Sequence, residues 1–277
     1  MRRRHRYARF VSYLLLVAAL PAVLIPFLFM LSTSLKPQAL TFEYPPRLIP
    51  SEATLHNYVR ALRLEDFAIY FGNSLFVAVL TTGLTVLVSA LLAYAFARLA
   101  FPGKETAFYV LLLGMMIPPV MLIIPQFLVA KQLHLLNNLW GLILVYVTMS
   151  LSMQTFLLRG FFEDIPRELE DAVLIDGGNR WTIFWRVVLP LSKPGLAVVA
   201  IFTFLYSWDE FPWANVAIQE TSKRTLPIAI ALFQNQHLTQ WGMVFAVSII
   251  ALIPVVIVFI LFQRHFIQGL STSGLKG

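Results

Sequence analysis

The chain has 277 residues, of which 58% are hydrophobic and 13% are charged, a composition that excludes an ordinary soluble domain. Its formal net charge of +7 requires no nucleic acid, because basic residues beside apolar segments face anionic lipid headgroups. The absence of cysteine excludes disulfides and thiolate metal sites, and the scattered histidines show no ligand spacing, so no metal site is predicted.

Six segments are predicted to cross a membrane as helices. A hydrocarbon core of about 30 Å needs about 20 helical residues. Five apolar runs meet this length without charge, and a sixth meets it although it carries Asp209 and Glu210. The predicted spans, within one transmembrane domain of residues 1–277, are residues 10–32, 71–97, 106–130, 138–158, 195–218 and 242–263. We therefore expect an all-α integral membrane protein with six transmembrane helices.

The lysines and arginines predict the orientation of these helices. The first apolar run follows MRRRHRYAR, is too long for the core of a signal peptide and lacks a clear cleavage site, so it is predicted to be an uncleaved span. With the N-terminus inside, fourteen basic residues lie on the cytoplasmic side and seven on the other side. Both termini and residues 159–194 are therefore predicted to be cytoplasmic.

The stretch between the first two spans is predicted to lie outside. Residues 34–70 are polar and contain four prolines, which makes one long helix unsuitable. Residues 52–63 are predicted to form a short interfacial helix with an apolar face. This face either covers the helix bundle or contacts a soluble partner.

The third predicted span is rich in proline. Pro118, Pro119 and Pro125 each remove a backbone hydrogen bond and are predicted to kink the helix. The kinks either let neighbouring helices interlock or open a cavity or hinge in a pathway.

Residues 159–194 are the one sizeable polar segment between spans and read RGFFEDIPRELEDAVLIDGGNRWTIFWRVVLPLSKP. Pro166 suits a first helical turn, and the acidic residues after it suit the positive end of the helix dipole. Gly177 permits a positive φ where this helix would end, and a second amphipathic piece then runs to Pro190, which is predicted to stop it. One narrow apolar face is predicted for Leu169, Ala172 and Val173, with the acidic residues pointing elsewhere. The pattern predicts a helix, a glycine elbow and a second helix that meet a water-soluble partner.

This polar segment resembles the cytoplasmic EAA loop of permease subunits in binding-protein-dependent ABC importers. The resemblance rests on ELEDAVLIDGG followed by Phe184, Leu189 and Pro190, and the matching stretches elsewhere are NSL at 73–75, AYAFARLAFPGK at 93–104, LNNLWGLIL at 136–144, FTFLYSWDEF at 202–211 and the ending QGLSTSGLKG. Nearly the whole length is similar to the carbohydrate-importer branch, in particular its maltose-type subunit with six spans. Two departures are Asp171-Ala172-Val173 in place of Glu-Ala-Ala, and Asp209 where the family commonly has Asn.

The resemblance implies a type I ABC importer fold in a bacterial or archaeal cytoplasmic membrane. Its implied partners are a second homologous permease subunit, two ATP-binding cassette subunits, an extracytoplasmic solute-binding protein and membrane lipid. The residues implied to couple this chain to an ATPase are Glu168, Leu169, Glu170, Asp171, Ala172, Val173, Asp176, Gly177, Leu189 and Pro190. Among them Glu170, Asp171 and Asp176 would make charged contacts. Leu169, Ala172 and Val173 would fill the ATPase groove, and Gly177 would be the elbow.

No cofactor is expected on this chain, because the resemblance assigns ATP and magnesium to the partner subunits. The nearest approach to a P-loop, GKET at residues 103–106, lacks both the upstream glycine and a Ser or Thr directly after the lysine. No nucleophile or acid–base constellation is present either, so no catalytic residue is predicted.

The fifth predicted span carries a charged pair about 21 Å from its start. A charge at the centre of a span costs about 2.5–3.5 kcal/mol on insertion scales, so one carboxylate is expected to line a pathway and the other to pair with a neighbour. For a sugar, aromatic rings pack on the apolar face and carboxylates accept hydrogen bonds from hydroxyls. The predicted pathway residues are Trp208, Asp209, Glu210, Phe211 and Trp213. Alternatively, the tryptophans are interface anchors and the acids lie near the headgroups.

The predicted function is ATP-driven import of a sugar or oligosaccharide by alternating access. One alternative keeps this architecture for another small solute, such as a phosphorylated polyol or a peptide. The other is an ion-coupled secondary transporter in which Asp209 and Glu210 are ion sites, but it leaves the polar segment unexplained.

Overall fold

The computed structural model describes residues 2–41, 43–63, 66–233 and 239–273, with side chains described from residue 12 to residue 264 within these ranges. Over the described residues the chain is 78% helix and contains no strand. The α-helices are α1 (Arg2–Ser34), α2 (His56–Leu62), α3 (Phe67–Arg98), α4 (Lys104–Leu113), α5 (Ile123–Gln132), α6 (Leu139–Glu163), α7 (Glu168–Ile175), α8 (Arg180–Ile183), α9 (Leu189–Leu191), α10 (Lys193–Asp209), α11 (Pro212–Ala217), α12 (Leu226–Leu232) and α13 (Trp241–Ser273). The all-α class predicted from the sequence is confirmed.

Within the described residues, four helices are long and apolar enough to cross a membrane. These are α1, α3, α6 and α13, and they cover the predicted first, second, fourth and sixth spans. A fifth crossing results if Arg180–Leu191 and Lys193–Asp209, which are bent by 76° relative to each other, form one broken span. The length and apolar character of these helices indicate a multi-pass membrane protein.

The predicted third span, residues 106–130, is two short helices rather than one kinked helix. Pro118 and Pro119 lie at the break between α4 and α5, where a short 3-10 turn begins. Pro125 lies in the first turn of α5, where a missing N–H is tolerated, so the kink predicted at this proline is wrong.

Helix α6 is central to the packing, because it contacts α4, α10 and α11. It begins where the Asn138 side chain accepts a backbone N–H of the first turn at 3.0 Å. Its Ser152 hydroxyl donates to the Leu111 carbonyl at 2.8 Å, which satisfies a backbone acceptor beside the break after α4. A side chain at Gly195 would lie 2.7 Å from the Phe161 ring, so α10 approaches α6 closely because position 195 is glycine.

The chain divides into two compact units, which are described separately. The smaller contains the described parts of Met1–Phe67 and Ile230–Ile253, and the larger those of Ala68–Ala229 and Pro254–Gly277. The larger unit has two hydrophobic clusters, one around Tyr146 and Trp213 and the other around Tyr94, Phe162 and Phe184. Both candidate sites lie in the larger unit.

In the smaller unit, a buried lysine organises the stretch that follows α1. The Lys36 ammonium lies 2.8 Å from the Glu43 carboxylate and donates to the Arg47 carbonyl at 2.7 Å. Asn57 of α2 donates to the carbonyls of Ser34 and Lys36, both at 2.9 Å. These contacts fix an irregular stretch whose backbone lacks regular hydrogen-bonded structure.

The short helix predicted at residues 52–63 is present as α2, which begins four residues later than predicted. Leu55, Val59 and Leu62 are exposed along it. Their apolar side chains are therefore not buried within the smaller unit.

Candidate functional site

The polar segment contains the predicted first helix and glycine elbow. Helix α7 begins at Glu168 after the N-cap residue Arg167, so Pro166 lies just before the helix and not in its first turn as predicted. Gly177 has φ of +80°, a left-handed conformation that glycine adopts without steric cost. The N–H groups of Gly178 and Gly177 bond to the carbonyls of Val173 and Leu174 at 2.8 and 3.1 Å, which closes α7 with a Schellman motif.

The second half of the segment is helical for longer than predicted. Helix α8 continues into a π-helical turn, in which the Leu189 N–H bonds to the Phe184 carbonyl, and then into α9. Pro190 lies inside α9, so the prediction that it stops the helix is wrong. The wider π-turn before this proline accommodates a residue without an N–H.

Glu170 does not point outward as predicted. It is 4% exposed and is the only buried residue of α7. Its carboxylate lies 3.0 Å from the Arg98 guanidinium and 3.3 Å from that of Arg180. A buried carboxylate needs such cations, because charge without a partner is strongly disfavoured away from water.

Other residues of the segment form an exposed surface on α7 and the elbow after it. The side chains of Leu169, Ala172 and Asp171 are exposed, whereas Val173 is half-buried against the cluster around Phe184. The predicted apolar face is therefore divided between the outer surface and the chain's own core. The remaining predicted residues are Glu168, Asp176, Gly177 and Pro190, which are exposed, and Leu189, which is half-buried.

Sequence reasoning missed three residues that lie in the polar segment or contact it. Ile175 is 86% exposed at the end of α7 and extends its outer apolar surface. Arg98 and Arg180 hold Glu170, and the only sequence signals were a basic residue at the end of a predicted span for Arg98 and a basic residue within the polar segment for Arg180. Ion pairs between distant segments leave no periodic pattern in a sequence.

A second candidate site is a cavity of about 440 Å³ between α5, α6, α10 and α11. It is lined by Pro119, Val120, Ile123, Gln126, Val145, Met149, Leu205, Tyr206, Asp209, Glu210, Pro212 and Trp213. This mixture of apolar walls with a few polar groups is typical of small-molecule sites, which measure roughly 300–1,000 Å³.

Glu210 lies where the fifth predicted span is broken. Helix α10 ends at Asp209, Glu210 is extended, and α11 starts at Pro212. The Glu210 carboxylate accepts from the Tyr146 hydroxyl at 2.5 Å and from the N–H groups of Trp213 and Ala214 at 2.7 and 3.0 Å. It therefore satisfies backbone donors that the break between α10 and α11 leaves without a helical acceptor.

Asp209 differs from its neighbour Glu210 in its surroundings. It borders the cavity and is exposed, and within the described residues its side chain makes no hydrogen bond or ion pair. Asp209 therefore has both oxygens available to a ligand, whereas Glu210 is occupied by the chain itself.

The aromatic residues are placed differently from the prediction. Trp208 is 2% exposed, stacks on Phe204 at 5.7 Å and lies outside the cavity lining. Trp213 borders the cavity but is 4% exposed, and Phe211 packs against the cluster around Tyr146. The rings of Trp208 and Trp213 are buried by neighbouring helices, so Tyr206, which was not predicted, is the half-buried aromatic residue in the wall.

Over the part of the chain described here, no group of three His, Cys, Asp or Glu side chains is arranged to hold a metal ion. The two candidate sites therefore consist of an exposed helical surface and a cavity with one available carboxylate.

Three comparisons with known proteins bear on these sites. The family model described as "Binding-protein-dependent transport system inner membrane component" matches residues 86–272. The chain is 37% identical to the sulfoquinovosyl glycerol transport system permease protein SmoH of Agrobacterium fabrum, over 92% of this chain and 89% of that protein. It is 36% identical to the trehalose/maltose transport system permease protein MalG of Thermococcus litoralis, over 92% of each chain.

Among solved structures, one chain from a crystal structure of a bacterial ABC transporter involved in the import of the acidic polysaccharide alginate is similar in fold. The TM-score is 0.80 at 26% identity, and the match covers 95% of this chain and 98% of that chain. The residues matched by the family model include both candidate sites.

Proposed function

Because this chain belongs to the binding-protein-dependent transport system inner membrane component family, we propose that it is the permease subunit of an ATP-driven sugar or oligosaccharide importer. The observation that carries the sugar assignment is the match over nine-tenths of the chain to permease proteins named for trehalose/maltose and sulfoquinovosyl glycerol transport. The alginate importer of similar fold supports the same class of cargo. The chain itself is a transport component and performs no covalent chemistry.

The proposed topology has six spans, with both termini and the polar segment in the cytoplasm. In this topology α4 and α5 together make the third span across their proline break, and α10 with α11 makes the fifth across the break at Glu210. Neighbouring side chains satisfy the backbone at both breaks, which supports their location at membrane depth. The proposed location is a bacterial or archaeal cytoplasmic membrane.

The proposed coupling element is α7 with its glycine elbow. Leu169, Ala172 and Ile175 present exposed apolar surface, and Asp171 and Asp176 present charge beside it. A surface of this mixed character suits a groove in a soluble ATPase subunit. ATP and magnesium would bind the two ATPases, a solute-binding protein would deliver cargo from outside, and a second permease subunit would complete the pathway.

Isolation of the complex tests this function. The tagged chain, extracted in mild detergent, should copurify with a second permease and with ATP-binding cassette subunits identified by mass spectrometry. The purified complex should hydrolyse ATP and drive sugar uptake into proteoliposomes. Uptake driven by an ion gradient in the absence of ATPase subunits would instead favour a secondary transporter.

Asp209 is the proposed cargo contact in the cavity. Asp209→Ala should lower the apparent affinity for the transported sugar about tenfold, the effect of losing about 1.4 kcal/mol of hydrogen bonding. Asp209→Asn, which still accepts a hydrogen bond, should have a smaller effect. The measurement is uptake of the transported sugar into proteoliposomes as a function of its concentration.

Asn215→Ala provides the control for Asp209, since Asn215 is exposed on α11 and lies outside the cavity lining. It should leave uptake unchanged. Equal uptake by the Asp209→Ala and unmodified transporters would remove Asp209 from the pathway and leave the complex as proposed.

A further inference from the structure

The buried guanidinium of Arg98 connects α3 and the end of α6 to α7, the proposed coupling helix. Arg98 is the last residue of α3, its side chain is 3% exposed, and its Nε lies 3.0 Å from Oε1 of Glu170 in α7. The same guanidinium donates through Nη2 to the carbonyls of Phe162 and Ile165. The Phe162 carbonyl lies in the last turn of α6, and the Ile165 carbonyl lies just after this helix. Arg98 therefore contacts the C-terminal end of α6 and pairs with α7.

The other oxygen of Glu170 is held from the opposite side. Nη1 of Arg180 donates to Oε2 of Glu170 at 3.3 Å, and the Tyr94 hydroxyl donates to the Arg180 carbonyl at 3.0 Å. Tyr94 belongs to α3 and packs against Phe184 with ring centroids 5.2 Å apart. Each carboxylate oxygen therefore has its own cation, and both cations connect to α3.

Few other contacts hold α7 in place. Glu170 is its only buried residue, and Val173 alone among the predicted apolar residues packs against the core cluster below. Removing one partner of a buried ion pair leaves the other charge uncompensated, which is strongly unfavourable. The ion pairs therefore determine where α7 lies relative to α3 and α6.

We propose that Glu170 is a positioning residue that ties α7 to the ends of α3 and α6 through Arg98. A displacement of α7 then moves both long helices as one body. This inference rests on the proposed function, since it assumes that an ATPase displaces α7. It assigns to Glu170 the transmission of movement within the permease, and to the exposed residues of α7 the contact with the ATPase.

The test uses the assembled transporter and needs no knowledge of its sugar. Because the chain has no cysteine, Val145→Cys places one reactive thiol of this subunit in the cavity wall. The probe is the rate of maleimide labelling at this position before and after trapping with ATP and vanadate. Glu170→Gln keeps the side-chain shape and removes the charge, and Glu163→Gln makes the same change at an exposed residue at the end of α6.

In the transporter with native Glu170, trapping should change the labelling rate. Glu170→Gln should reduce this change about fivefold or more, because the buried cations lose their partner. ATPase subunits should still copurify in full, and basal ATP hydrolysis should persist. Glu163→Gln should retain the full ATP-dependent change, because its pair with Arg159 is exposed.

A second variant keeps the inference testable if Glu170→Gln fails to assemble in the membrane. Arg180 is 55% exposed, so Arg180→Gln is compatible with folding and should reduce the labelling change by about twofold, since one of two ion pairs remains. A full labelling change in both variants would overturn the proposal. Loss of ATPase copurification from a variant that still assembles with the second permease would also overturn it, because Glu170 would then act in docking. Failure of the unmodified chain to recruit ATPases would instead overturn the proposed function.

Discussion

Glu210→Ala is expected to destabilise the protein by about 3 kcal/mol, because it leaves three hydrogen-bond donors at the helix break without an acceptor. The Tyr146 side chain and Ala214 are almost completely buried, so water does not readily replace the lost carboxylate. Thermal unfolding of the detergent-solubilised complex, followed by tryptophan fluorescence, would measure the loss. Glu210→Gln retains one acceptor oxygen and should lie between the alanine variant and the native protein.

Asp209→Ala is the matched control for this experiment. It makes nearly the same change one residue earlier, at a side chain without an internal partner among the described residues. We expect it to change stability by less than about 0.5 kcal/mol. Similar unfolding of the Asp209 and Glu210 alanine variants would contradict the assignment of Glu210 as the residue that satisfies the broken span.

Gly177→Val is expected to uncouple ATP hydrolysis from transport, lowering sugar uptake per ATP hydrolysed about tenfold. A left-handed conformation costs a non-glycine residue roughly 1–2 kcal/mol, and a branched side chain tolerates it least. The valine would shift the backbone at the elbow and turn α7 away from its position, although no atom blocks the side chain. The ratio of uptake to ATP hydrolysis in proteoliposomes is the measurement.

Two variants separate backbone conformation from the added side chain. Gly177→Asn should be tolerated, because asparagine adopts the left-handed conformation more readily than valine. Gly160→Val adds the same side chain to open space on α6 without a positive φ, and it should leave coupling unchanged. Normal coupling in the Gly177→Val transporter would show that the elbow has no part in transmission.

The prolines show how far sequence patterns predicted the third span. The three prolines correctly predicted a disturbed helix. Nothing in the sequence distinguished which proline would break the helix, because the same kink was predicted for each of them. In the structure, Pro118 and Pro119 lie at a complete break, and Pro125 lies harmlessly in a first turn. The difference depends on where the next helix begins, which is set by packing against α6.

The charged pair shows a similar limit. A carboxylate within an apolar span predicted that one acid would pair and the other would line a pathway, since lipid exposure is costly. The partner of Glu210 is Tyr146, 64 residues away, together with backbone donors that exist only because the helix is broken. The buried positions of Trp208 and Trp213 were equally unpredictable, because an aromatic residue suits both a core and a cargo site.

The sequence by itself determined that this is a multi-pass helical membrane protein with a polar helix, a glycine elbow and a second helix. These features follow from local chemistry, since the bilayer sets helix length and glycine sets the turn. Only the tertiary structure decided that Glu170 faces inward to Arg98, that Glu210 closes the break between α10 and α11, and that Asp209 is the carboxylate left available. Each of these outcomes depends on which charged groups and hydrogen-bond donors from distant segments meet in the fold. A buried charge needs a partner, but the sequence does not show which residue that partner is.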